Sequence, residues 1–295
     1  MTNFSVPFGT SENELPVETG KYRLIRGAFC PFAHRPVIAR ELLGLDEHIS
    51  MGTVDDVNTP ESLTFANDPD GKDPVLDVTH MRDLYLQTDP DYDGAYSVPA
   101  LVDIETGHVV RQESADILRD FSTVFKPLHR EGAPDLYPEE KQEAIDKWNE
   151  RIGSEINSGI YKIGFAKTQE DYEEAVTNFF NVLDELEEIL TENRYIHGEH
   201  ITESDIFLYP TLVRFDITYY SMFKANRNKL QDFPNLWEYA RDLYQTKGFG
   251  STTEPESIKR AFNLGTMGER LGSNGIIPVG PDMSTWEEPH TRALK

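Results

Sequence analysis

One cysteine in 295 residues excludes an internal disulfide and every cysteine-rich metal framework, and it fits a chain kept in a reducing cytosol. Positive charge is scarce. There are 28 basic residues against 52 acidic ones, a net charge of −24, and a polyanion of this kind repels nucleic acid and anionic membrane. No apolar run approaches the roughly 18 residues of a membrane span. Residues 1–20 are polar and lack the charged-then-apolar layout of a secretory leader. The eight histidines show no zinc spacing, and no glycine-rich phosphate loop follows the first strand-like run. Asp89-Pro90-Asp91-Tyr92-Asp93-Gly94 lacks the distal glutamate of a calcium loop and reads as a turn. The expected partners are therefore small molecules, with no metal, no nucleic acid and no membrane.

The lone cysteine is well placed for chemistry. A β-like run, Tyr22-Arg23-Leu24-Ile25-Arg26-Gly27, ends just before it. An amphipathic helical pattern through Val37, Ile38, Leu42 and Leu43 begins just after it. Pro31 suits the first helical position, where its missing N–H costs nothing. Free amides and the helix dipole at such a start favour thiolate over thiol. Lone cysteines are commonly small buried hydrophobes; the strand–Cys–Pro–aromatic–helix setting argues for the reactive reading. With alanine at position 33 and no second cysteine, a mixed disulfide on Cys30 has to be resolved by a thiol from outside.

Strand and helix signals alternate through the first third. A second strand is predicted at Ile49-Ser50-Met51-Gly52-Thr53-Val54. A long surface insertion rich in Asp, Pro, Asn and Gly follows over 55–79, then a helix through Met81, Leu84 and Tyr85. Ser97-Val98-Pro99-Ala100-Leu101-Val102-Asp103 and Gly107-His108-Val109-Val110-Arg111 form a hairpin, and a helix covers 113–125. The order β-α-β-α-β-β-α is the thioredoxin-like layout. In that layout the proline opening the third strand, Pro99, is expected to be cis and to face the cysteine. Residues 127–138 read as a linker. Apolar spacing then predicts helices over 140–152, 157–166, 169–192, 203–223 and 235–244. The fourth opens on a capping-box-like Thr202-Glu203-Ser204-Asp205, with Ile201 and Ile206 placed as a staple. Residues 263–295 show no helical period.

The expected fold is an α/β N-terminal thioredoxin-like domain followed by an all-α C-terminal domain, the glutathione transferase architecture. Its parts are an extension over 1–20, a thiol-binding domain over 21–126, a linker over 127–138, a helical substrate domain over 139–262 and a tail over 263–295 packed on the body.

Four motifs in order sharpen this. Cys30-Pro31-Phe32-Ala33-His34-Arg35 resembles the Cys-Pro-Trp-Ala-His-Arg signature of the glutathionyl-hydroquinone reductases, the omega-like Xi-class transferases. Asn157-Ser158-Gly159-Ile160-Tyr161-Lys162-Ile163-Gly164, Leu212-Val213-Arg214-Phe215-Asp216 and Asn274-Gly275-Ile276-Ile277-Pro278-Val279-Gly280-Pro281 are similar to further motifs of that family, so the resemblance spans residues 20–292. It implies a cytoplasmic homodimer that uses glutathione as co-substrate. It implies reduction of glutathionyl-hydroquinones to hydroquinone and glutathione disulfide through a Cys30 mixed disulfide.

The resemblance also implies roles. Cys30 is the nucleophile, and Phe32, Val98, Pro99, Glu113 and Ser114 bind glutathione, the last two holding its γ-glutamyl head. Tyr161 and Tyr219 assist the quinol oxygen. Residue chemistry alone leaves the two tyrosines as packing groups and Glu113-Ser114 as a helix cap. Three positions depart from the family pattern: Leu63 stands for a tryptophan, Ala95 for an arginine and Phe262 for a tyrosine. The first two lie on the glutathione side, so another small thiol is the alternative donor. A non-catalytic ligand-binding or interaction protein is the alternative function.

Overall fold

The computed structural model describes Phe4 and residues 6–57 and 61–292. Positions 1–3 and 5 of the expected extension, 58–60 of the insertion and 293–295 of the tail lie outside the described residues. The chain divides into two compact units. The first runs to Ala133 and includes Glu256–Ile277; the second comprises Pro134–Pro255 and the segment from Pro278 onward.

The first unit is built on a four-stranded sheet, order β2-β1-β3-β4, from β1 (Tyr22–Gly27), β2 (Ser50–Val54), β3 (Ala100–Asp103) and β4 (Val109–Arg111). β1 pairs parallel with β2 and antiparallel with β3, which pairs antiparallel with β4. As the central strand β1 is covered on both faces, and Tyr22, Leu24 and Ile25 are all fully buried. Helices α1 (Pro31–Leu43) and α3 (Ser114–Ser122) pack against each other, and α2 (Met81–Thr88) follows the insertion. This is the expected thioredoxin-like order. Ahead of the sheet, Phe8 packs edge-on against Tyr22 and Phe125 at 5.4 and 5.0 Å, with the Arg111 guanidinium over its ring.

The insertion over 55–79 differs from expectation, because it is not merely a surface loop. Phe65 and Asp73 are fully buried, and Leu63 nearly so. The acidic residues that read as loop signals turn inward and satisfy backbone amides. Asp55 accepts from Ala66 N and Asn67 N, and Asp73 from Val75 N and Leu76 N. Asp73 Oδ2 also accepts from both Nε and Nη2 of Arg23, at 2.9 and 2.8 Å, in a buried charge pair. Asp56 bonds Ser257 and Arg260 of a helix near the end of the chain.

The second unit contains α4 (Gln142–Arg151), α5 (Gly159–Gly164), α6 (Gln169–Glu192), α7 (Glu203–Arg214), α8 (Tyr220–Met222) and α9 (Pro234–Gln245). α6 has the expected limits. Its Thr168 cap accepts from Asp171 N, and Phe179, Val182, Leu183, Leu186 and Leu190 form one buried stripe. The capping box at Thr202 and Asp205 is present, and Tyr239 donates to Asp205 from α9. π-turns occupy Ile152–Asn157 and Phe215–Tyr219. The first joins the predicted helices 140–152 and 157–166; the second interrupts the predicted 203–223, which is not continuous α-helix.

The expected tail contains helix, contrary to its reading as aperiodic. α10 (Pro255–Asn263) leads into α11 (Gly265–Leu271). α11 buries only Gly268, so it carries no apolar stripe to read. Further on, Trp286 packs edge-on against Trp237 at 5.0 Å, and buried Arg292 donates to the carbonyls of Leu190, Asn193 and Arg194, closing the C-terminus of α6. Among the described residues no helix is long and apolar enough to cross a membrane, and no group of three His, Cys, Asp or Glu residues stands ready to hold a metal.

Candidate active site

Cys30 lies where β1 hands over to α1. It is the N-cap of α1 with extended backbone, and Pro31 takes the first helical position, as the sequence predicts. Its sulfur accepts from Ala33 N at 3.4 Å, and its thiol reaches the Val98 carbonyl at 3.7 Å. The two contacts respond oppositely to ionisation. A thiolate keeps the Ala33 amide and loses the carbonyl contact, which frees Val98 O. The side chain is half-buried and packs beside the core cluster with Phe29, Leu76 and Tyr96. Gly27 permits that approach, since a Cβ there would meet the Phe29 ring at 2.7 Å.

The segment facing the sulfur is firmly held. Val98–Pro99 is cis, Val98 is buried, and Tyr85 donates to Ser97 O at 2.9 Å. At the start of α3, Glu113 is the N-cap residue, yet its side chain makes no capping bond. Among the described residues its exposed carboxylate has no hydrogen-bond or ion-pair partner. Ser114 is buried, and its Oγ accepts from Arg35 Nη1 at 3.1 Å. The Arg35 guanidinium stands 5.0 Å from the centroid of the half-buried Phe32 ring. The first unit thus gathers Cys30, Phe32, Val98, Pro99, Glu113 and Ser114 around α1, the cis peptide and α3. The Arg35–Ser114 link is not legible in the sequence; its only signal there is an arginine five residues past the cysteine.

The two tyrosines belong to the second unit. Tyr161 on α5 packs edge-on against Tyr219 at 6.1 Å and against Phe223 at 5.4 Å, with Phe165 stacked at 6.3 Å. Tyr161 is half-buried and Tyr219 fully buried. Gly164 makes room for this group, because a Cβ there would run into the Phe223 ring. Both π-turns serve the same cluster. One ends on Tyr219; the other ends on Asn157, whose Nδ2 donates to Phe207 O and Thr211 Oγ1 on α7. Phe262, which stands where the family pattern has a tyrosine, is a buried residue of α10 in the first unit.

Comparison with known proteins gives the family. The family model described as glutathione S-transferase, N-terminal domain, matches residues 29–124, and the one for the C-terminal domain matches residues 169–242. Glutathionyl-hydroquinone reductase YqjG of Escherichia coli K12 is 36% identical over 100% of this chain and 89% of its own length. Its glutathione-bound structure superposes with a TM-score of 0.89 at 37% identity, covering 98% of this chain and 92% of that one. A Xi-class transferase from Natrialba magadii gives a TM-score of 0.92 at 36% identity, covering 98% and 88%. A glutathione transferase from Gordonia bronchialis gives 0.92 at 43% identity, covering 96% and 87%. Near-complete coverage at these identities, with both domain models matched, means that the chain belongs to the glutathionyl-hydroquinone reductases, the Xi class of the glutathione transferase family.

Proposed function

We propose that this protein is a thiol-dependent reductase that cleaves glutathionyl-hydroquinone thioethers. The Cys30 thiolate attacks the thioether sulfur. The bond between sulfur and ring carbon breaks, the ring carbon gains a proton, and hydroquinone leaves a Cys30–glutathione disulfide behind. A second glutathione thiolate attacks the glutathione sulfur of that disulfide, releasing glutathione disulfide and restoring Cys30. The observation that carries this reading is a single cysteine capping a helix with its sulfur turned to the cis Val98–Pro99 segment. With no second thiol in the chain, the oxidised cysteine depends on an external one.

In this reading the Val98 backbone pairs with the cysteinyl part of glutathione as an added strand would. Pro99 and Phe32 wall the thiol. Glu113 takes the γ-glutamyl ammonium and Ser114 its carboxylate. Tyr161 and Tyr219 donate to the quinol oxygen and help proton delivery to the leaving ring. In this reading the protein works as a homodimer in a reducing cytosol, which a single cysteine with no disulfide partner in the sequence fits.

The test is a stoichiometric one. Purified protein given a glutathionyl-hydroquinone and excess glutathione should yield one hydroquinone per glutathione disulfide, with a glutathione adduct on Cys30 trapped by acid quench. Failure to form disulfide at any glutathione concentration would refute the reductase reading and favour a ligand-binding module. Turnover with another small thiol alone would correct the donor.

A further inference from the structure

Arg35 joins two parts of the thiol site that the proposed chemistry treats separately. It sits on α1 five residues past the nucleophile, is 4% exposed, and reaches across to α3 to donate to Ser114 Oγ at 3.1 Å. Its guanidinium stands over Phe32. Arginine has donors and no acceptor, so in this bond the serine oxygen can only accept. The serine proton must then point away from Arg35. Among the described residues Ser114 Oγ makes no other hydrogen bond, so that proton meets no acceptor among them. Next to it Glu113, exposed and unused as a cap, is an acceptor-only carboxylate. A neutral hydroxyl would ordinarily serve either sign of ligand. Arg35 removes that freedom, leaving one donor beside one acceptor.

We propose that Arg35 is a positioning residue that locks the Ser114 hydroxyl as a donor, so that the start of α3 reads the carboxylate of an α-amino-acid head group and the enzyme selects thiols that carry a γ-glutamyl head. This rests on the reading of the protein as a glutathione-using reductase and adds the residue that sets its donor selectivity. Burial pushes the Arg35 guanidinium down to about 9, with the charge of the Cys30 sulfur opposing that fall, so it stays protonated and donor-only at neutral pH. A fixed buried cation also matters locally in a chain of net charge −24, where an anionic peptide is otherwise repelled.

The experiment compares two thioether substrates, the same hydroquinone conjugated to glutathione and to cysteinylglycine, which is the same peptide without its γ-glutamyl head, with glutathione as the resolving thiol throughout. For wild type, Arg35→Met, Arg35→Lys, Ser114→Ala and the Arg35→Met/Ser114→Ala double variant, kcat and KM are measured for each conjugate. Ser114→Ala and Arg35→Met should each lower the glutathione-over-cysteinylglycine preference by about tenfold, chiefly through the KM for the glutathionyl conjugate, as expected for loss of one charge-assisted hydrogen bond. The double variant should lose no more than the worse single one, because both act on one hydroxyl. Arg35→Lys, a donor without the planar fork, should fall in between; it carries the test if Arg35→Met melts below assay temperature. Equal losses with both conjugates, or additive losses in the double variant, would overturn the proposal. Calorimetric binding of S-methylglutathione separates the two readings. Affinity that depends on Arg35 and Ser114 in a protein without turnover would refute the reductase and keep the selector; turnover with an Arg35-independent affinity would do the reverse.

Discussion

The Cys30 thiol reaches the Val98 carbonyl at 3.7 Å, so the nucleophile and the backbone edge proposed to bind its co-substrate are already in contact. Cys30→Ser preserves the donor to Val98 and the acceptor for Ala33 N, and therefore the fold. It removes the only sulfur nucleophile. Thioether cleavage should fall to background while the thermal midpoint stays within a few degrees. Residual turnover by the purified variant above a trace would contradict the mechanism.

Tyr161→Phe tests proton delivery. The ring is held by Phe165, Tyr219 and Phe223, so losing the hydroxyl leaves the packing in place. The hydroquinone carbon needs a proton as it leaves; a departing thiolate does not. Turnover of hydroquinone conjugates should drop by about 10²-fold or more, the scale of general-acid help, with small-disulfide exchange unchanged. A parallel fall on both substrates would make Tyr161 structural.

The two departures on the glutathione side should behave differently. Ala95 is exposed, with its carbonyl bonded by Tyr92, so Ala95→Arg adds a cation without disturbing a core. It should improve glutathione half-saturation by about three- to tenfold, a screened charge-assisted contact. Leu63 is 8% exposed within a filled cluster. Leu63→Trp should instead cost roughly 1–3 kcal/mol of stability through overpacking. Saturation curves and denaturant melts separate the effects.

His197 gives the second unit an acid limit. Burial, then the nearby Lys141 charge, hold its imidazole down to about 4, against 6.5 when free. Its Nε2 pairs with Ser204 Oγ at 3.0 Å, and Lys141 donates to its carbonyl. Between pH 6.5 and 4 the unfolded chain binds a proton that the folded chain refuses. Stability contributed by the neutral ring is therefore complete above 6.5 and is lost as the pH falls, by on the order of 1–2 kcal/mol after solvent screening. Urea melts at pH 7 and pH 4.5 should show that loss, and His197→Gln should flatten it.

Local signals carried most of the fold. α6 was legible to its ends because Thr168 caps it and one apolar stripe runs its length. Cys30 announced its own position, because Pro31 and the flanking strand leave few conformations for it. What stayed hidden depended on partners far along the chain. Asp73 looks like a loop residue until Arg23, fifty residues away, meets it in the core. The π-turns leave the apolar period nearly intact, so 203–223 reads as one helix although Phe215–Tyr219 is wound differently. The Arg35–Ser114 bond spans 79 positions and has no periodic trace.

The packing of Trp286 on Trp237 has a practical side. Tryptophan occurs only at 148, 237 and 286, all in the second unit, while the only thiol lies in the first. Indole emission therefore watches one unit and reagent access to Cys30 watches the other, each blind to its neighbour. The native chain carries two independent reporters, and whether its units melt together or in sequence can be timed without adding a label.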